Sequence, residues 1–188
     1  MNGTEIRVGT FIKKKATAFH EGMGKRYVKP FRIYAVDAED VYLQDAYKGV
    51  FIYKKEELLT QFEPMGSKEM PWDIHCVIKT DGEGYLNFHT HGMYWFNHLD
   101  FQVVLPIQPA IIEYTLNAMA YYVREGRKFK DGDMVYDLYE GSPAKLMEVE
   151  ELDRKVLRIL IPDESGRFPD EEGCNAAYQK QIQPGLYE

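Results

Sequence analysis

Through the first third of the chain, apolar residues come in short runs broken by turn-forming residues, a pattern that predicts strands rather than helices. Residues 6–19 and 26–36 read as two strands separated by Gly22-Met23-Gly24, and Pro30 is expected to put the second at a sheet edge or a bulge. Val41-Tyr42-Leu43-Gln44 and Gly49-Val50-Phe51-Ile52-Tyr53 add two shorter strands. Leu58, Leu59 and Phe62 then recur at helical spacing, predicting a short helix over residues 54–62. Strands closed by a helical turn describe a curled sheet or an SH3-like barrel. Residues 63–71 hold Pro64, Pro71 and a Gly66-Ser67 pair and read as a linker.

The pattern changes after the linker. Residues 73–80 and 85–91 are β runs around Asp81-Gly82-Glu83-Gly84, which predicts a hairpin. Phe101-Gln102-Val103-Val104-Leu105 is the most hydrophobic strand and is expected to be central. Pro106 ends it, and Pro109 suits the first position of a helix. That helix should reach Arg124 or Glu125 and stop at Gly126, with Ile112, Leu116, Met119, Ala120 and Val123 as its buried stripe. Strands are predicted at 134–139, 144–149 and 156–161, followed by an irregular arm over 162–188. The expected class is α+β. A small β-rich module over residues 1–65 precedes a domain over 66–188, in which a mainly antiparallel sheet packs on one principal helix.

Charge separates the two parts. Residues 1–65 carry 11 Lys/Arg against 9 Asp/Glu, whereas residues 66–188 carry 12 against 21, within a net charge of −7. An acidic second part disfavours phosphate attraction, the main source of nucleic-acid affinity. No apolar run reaches the roughly 18 residues of a membrane span, and residues 1–7 lack the apolar core of a signal peptide. Two cysteines, Cys76 and Cys174, make no disulfide scaffold, so a cytoplasmic protein is expected.

Three of the five histidines fall within residues 85–100. On a strand, His89 and His91 share a face, because side chains alternate with period two, and two imidazoles on one face suit a metal ion. Across the hairpin the outcome depends on register. If paired residue numbers sum to 164, His75 lies opposite His89 and Asp73 opposite His91. A sum of 165 puts Cys76 and Ile74 there instead. The first register gathers His75, His89 and His91 into a site for Zn or another divalent transition metal, with Asp73 or His98 assisting. The bland alternative is a set of half-buried sheet histidines bonded to backbone and tyrosine hydroxyls. Cys76 reads as a small buried hydrophobe, and acidic pairs such as Glu150/Glu151 read as solvated. No nucleophile elbow and no phosphate-binding glycine loop is present.

A second candidate is basic. Arg7, Lys13, Lys14, Lys15, Lys25, Arg26, Lys29 and Arg32 interleave with Phe11, Phe19, Tyr27, Phe31 and Tyr34. Single-stranded nucleic acid could bind such a surface by charge and stacking. The structural alternative makes the aromatics core and the lysines guards of sheet edges.

Three segments carry a family likeness: Thr90-His91-Gly92-Met93 with the strand after it, Gly126-Arg127-Lys128-Phe129-Lys130-Asp131-Gly132, and Gly166-Arg167-Phe168-Pro169 with Gly173-Cys174. Over residues 73–174 the chain resembles an uncharacterised bacterial family, the domain-of-unknown-function family numbered 4262. The resemblance implies no activity, and many members have Val where His91 stands here. The last segment reads physically as a pin for the arm, with the Phe168 ring buried and the Arg167 guanidinium on carbonyls or carboxylates.

These observations favour a non-catalytic binding or protein-interaction module of accessory or immunity type. The alternative is a metal-dependent hydrolase or related enzyme on the 73–91 hairpin. A second alternative is nucleic-acid binding by residues 7–32.

Overall fold

The structure, a computed structural model, describes residues 6–15, 29–78, 86–139, 141–151 and 154–183. The Gly22-Met23-Gly24 break, the turn around Asp81 to Gly84, and Phe19, Lys25, Arg26 and Tyr27 lie outside those residues. The fold is α+β, with two mostly antiparallel sheets. The chain divides into two compact units, Met1–Asp73 and Ile74–Glu188.

The first unit is a five-stranded antiparallel sheet built from β1 (Phe11–Lys14), β2 (Pro30–Val36), β3 (Asp40–Asp45), β4 (Val50–Lys54) and β5 (Phe62–Pro64), with helix α1 (Lys55–Gln61) joining β4 to β5. The spatial order is β4-β3-β2-β1-β5, so the last strand returns beside the first. Ile12, Phe31, Ile33, Val41, Leu43, Leu58 and Phe62 form its core. Leu58 is thus the residue α1 buries, while Leu59 of the expected helical trio is exposed and Phe62 has already entered β5. Pro30 does not mark an edge, since β2 lies inside the sheet. Proline is tolerated there because it is the first residue of the strand, and the bulge falls later, between Ile33 and Ala35. Residues 65–69 are held on this unit by the Met65 N–H on the Phe11 carbonyl (2.9 Å) and by Lys13 on Glu69 (2.5 Å).

The second unit is a six-stranded sheet: β6 (Asp73–Ile78), β7 (Leu86–His91), β8 (Asp100–Val103), β9 (Met134–Tyr139), β10 (Ser142–Glu151) and β11 (Arg154–Leu160). Its order is β6-β7-β8-β11-β10-β9. The hydrophobic strand β8 is therefore interior, as its composition predicts. It pairs antiparallel with β7 and parallel with β11, because the chain crosses over through helix α2 (Pro109–Arg124) before it returns. The helix begins on Pro109 and ends before Gly126, whose φ of 98° few other residues adopt. Ile112, Leu116, Met119, Ala120 and Val123 are all buried.

The two faces of this sheet are built from different residues. Alternation sends Phe88 of β7, with Phe101 and Val103 of β8, to one face, and α2 packs against β7 and β8. The other face receives Asn87, His89 and His91 from β7, Gln102 from β8 and Arg158 from β11. Ladder pairing sets His89 beside Gln102 and Gln102 beside Arg158, a polar row across three strands. The C-terminal arm lies on this row. Arg158 donates to the carbonyls of Gln181 (2.8 Å) and Gln183 (3.3 Å), and the Gln181 side chain brackets Ile161 with two hydrogen bonds.

Contrary to the expected lack of regular elements, the arm contains a one-turn helix, α3 (Ala176–Gln179). It is anchored by Asp163, whose carboxylate accepts the N–H groups of Ser165, Arg167 and Asn175. Those bonds, the Asn175 one foremost, hold the Asp163 carboxyl below its ordinary range. Arg167 donates to the Gly173 carbonyl at 2.9 Å, as its sequence context suggests, but the Phe168 ring is half-buried rather than buried.

Candidate metal centre

His89 and His91 come from the end of β7, where the strand stops at Gly92 with a φ of 110°. His75 comes from β6, which pairs with β7. The three rings converge: His75 lies 5.2 Å from His89 and 6.0 Å from His91 between centroids, and His89 lies 4.8 Å from His91. One ligating nitrogen from each falls within 4.8 Å of the others. The Nε2 atoms of His89 and His91 are 3.1 Å apart. Nitrogens on a tetrahedral zinc ion sit about 3.3 Å apart, given Zn–N bonds of about 2.0–2.1 Å. Two of the three are already at that spacing, and the third ring, His75, is exposed beside them.

Burial divides the roles of the rings. His75 is exposed, His91 half-buried and His89 buried. Burial first, and then the charges of Arg154, His91 and His75, push His89 down to about 3 from its usual 6.5. His89 is thus a neutral imidazole at physiological pH, the form that ligates metal. Its Nδ1 lies 3.1 Å from Asn87 Oδ1, the outer contact that orients a ligating imidazole.

Behind the rings the polar row continues into charge. Glu151, at the end of β10, accepts from Asn87 Nδ2 (2.5 Å) and Gln102 Nε2 (2.8 Å) and faces Arg154 NH2 at 3.4 Å. Arg154 NH1 also lies 3.3 Å from Asp100 Oδ2 and 3.3 Å from His91 Nδ1. Arg158 donates to Gln102 Oε1 at 2.8 Å. His89 therefore meets the Asn87 amide and the His91 ring, and His91 also meets the Arg154 guanidinium.

Two expected helpers are engaged elsewhere. Asp73 accepts the Tyr47 hydroxyl at 2.8 Å. His98 is a structural residue: it lies 2.7 Å from the Leu99 carbonyl through Nδ1 and accepts the Phe129 N–H through Nε2 at 3.1 Å. Burial pushes its pKa down, which keeps the ring neutral for that pair of bonds. Burial likewise raises the Cys76 thiol, and a protonated thiol is a poor nucleophile.

Glu151 overturns the reading of Glu150/Glu151 as a solvated pair. Glu150 is exposed, but strand alternation turns Glu151 inward, where it is 6% exposed. Alternation along a strand starting at residue 142 shows that the two glutamates face opposite ways. It does not show which one faces in.

Among the described residues of the basic stretch, several side chains are engaged inside the first unit. Phe31 is core, with edge-to-face contacts to Phe51 and Phe62. Lys13 pairs with Glu63 and Glu69, and Lys29 pairs with Asp45 at 2.8 Å while capping the Phe31, Tyr47 and Phe51 rings. Lys15 is tied to the Leu59 carbonyl at 2.6 Å.

Among the described residues no helix is long and apolar enough to cross a membrane. Comparison of the chain with protein-family models, curated proteins and solved structures found no match.

Proposed function

We propose that the second unit binds a divalent transition metal, zinc by its donor set, at His75, His89 and His91, and that it serves a metal-dependent hydrolase or related enzyme. The observation that carries this reading is the convergence of three imidazoles, two of them already at ligand spacing. Three protein ligands leave a coordination position open, which distinguishes catalytic zinc sites from closed structural ones. A metal held there supplies Lewis-acid activation of water or of a carbonyl or phosphoryl oxygen. The chain's own residues bind and orient it: His89 from a buried, tautomer-fixed position, His91 beside it, and His75 from the solvent side.

Protein purified without chelator is expected to contain about one equivalent of zinc or a similar metal. That metal should fall to background in His89→Ala and in His75→Ala. The exposed position of His75 makes its variant a test that does not depend on core stability. Hydrolysis of p-nitrophenyl esters or phosphates should follow metal content. Folded wild-type protein that takes up no metal rules the reading out.

The interaction module is a second reading, favoured by one observation. β4 ends the sheet of the first unit, and its Val50, Phe51 and Ile52 are 51%, 39% and 62% exposed. An apolar edge strand of this kind accepts an extended segment of a partner protein as an added strand. Pull-down from native cells should recover a stoichiometric partner with wild-type protein and lose it with Ile52→Lys. Recovery of none, or equal recovery with both, ends this reading.

A further inference from the structure

We propose that Asn87 and Arg154 set the two β7 histidines in opposite senses. Asn87 holds His89 ready for a metal ion, Arg154 holds His91 back from it, and Arg154 thereby limits metal occupancy. The inference rests on the metal-binding reading of the triad. It follows from groups whose hydrogen-bond direction leaves no choice.

Arg158 can only donate. Its Nε lies 2.8 Å from Gln102 Oε1, so the Gln102 amide nitrogen turns to Glu151 Oε1 at 2.8 Å and Asn87 Oδ1 at 3.2 Å. The Glu151 carboxylate accepts Asn87 Nδ2 at 2.5 Å, which leaves Asn87 Oδ1 to face His89 Nδ1 at 3.1 Å. That ring nitrogen must carry the proton, and His89 presents the lone pair of Nε2 to the centre of the triad. The order runs unbroken from a buried guanidinium on β11 to a ligand atom on β7.

From the other side the order is reversed. Arg154 NH1 lies 3.3 Å from His91 Nδ1 and can only donate to it. Nδ1 therefore holds the lone pair, and the proton of the neutral ring sits on Nε2. The two Nε2 atoms, 3.1 Å apart, then match as donor (His91) and acceptor (His89). A metal ion among the rings needs a lone pair from each. His89 already offers one. His91 must move its proton to Nδ1, and Arg154 must leave that atom. Ligation through Nδ1 instead would require the same departure. The guanidinium has carboxylates to retain it, with Asp100 Oδ2 at 3.3 Å from NH1 and Glu151 Oε2 at 3.4 Å from NH2.

The test reads ring tautomers in wild-type protein by long-range 15N–1H correlation, before and after zinc, and measures zinc affinity by calorimetry in wild type, Arg154→Leu and Asn87→Leu. Before zinc, His89 is expected as the Nδ1–H tautomer and His91 as Nε2–H; after zinc, His91 becomes Nδ1–H. Arg154→Leu should bind zinc about tenfold more tightly and Asn87→Leu about 10- to 100-fold more weakly, the scale of outer-shell contacts. The tautomer spectrum separates this effect from simple removal of a positive charge. His91 already in the Nδ1–H form before zinc overturns the proposal, as does zinc binding that Arg154→Leu leaves unchanged. If none of the three proteins takes up zinc, the metal reading falls and the proposal falls with it.

Discussion

Replacing Glu151 with leucine is expected to lower folding stability by about 3–5 kcal/mol, the range for removing one partner from a buried charged network. The carboxylate is 6% exposed and receives amide donors from Asn87 and Gln102, with Arg154 alongside. Leucine fills similar space but accepts nothing, so the buried amide N–H groups of Asn87 and Gln102 lose this acceptor, while the half-buried Arg154 keeps Asp100. Each buried donor left unsatisfied costs about 1–3 kcal/mol. Glu151→Gln keeps one acceptor oxygen and should lose less. Urea unfolding monitored by tryptophan fluorescence measures both variants, and an unchanged m-value would assign the effect to the native state. A loss under about 1 kcal/mol for the leucine variant would mean that water reaches the network.

Phe101→Ala is expected to cost about 3–5 kcal/mol for a different reason, the cavity left by a large ring in a packed core. Phe101 is fully buried at the start of the interior strand β8, its ring 5.0 Å from His98 and 6.0 Å from Phe129 between centroids. Removing it takes away the surface on which His98 is stacked, so the bond from the Phe129 N–H to His98 should loosen as well. Phe101→Leu retains most of the volume and should cost much less. Thermal unfolding of the pair gives the comparison, and near-equal midpoints would contradict close packing at this position.

The two substitutions probe opposite faces of one sheet, and those faces differ in how legible they were. The helix side follows local rules. Pro109, the stripe from Ile112 to Val123 and Gly126 each announce their place within a few residues, and the helix they predict is the helix found. The interior position of β8 was equally readable from its run of apolar residues. The polar side was legible only in part. Period-two alternation puts His89 and His91 on one face, but their partners lie far away in sequence: Arg154 is 63 residues from His91, and Glu151 is 64 residues from Asn87. No spacing rule connects positions that meet only when β10 and β11 fold back against β8. His98 shows the converse failure. Its closeness in sequence to the other histidines suggested a ligand, yet backbone groups at Leu99 and Phe129 claim both ring nitrogens.

By itself the sequence determined the class of fold, the principal helix with its limits, the interior strand and the shared face of His89 and His91. Those features depend on interactions within a strand or a helical turn, which hydrophobic period and turn residues encode directly. Only the tertiary structure decided that His75 joins that face, that Glu151 rather than Glu150 is buried, and that Arg154 meets His91. Each of these depends on the register and order of strands brought together over long sequence distances, where a shift of one residue exchanges every inward side chain for an outward one.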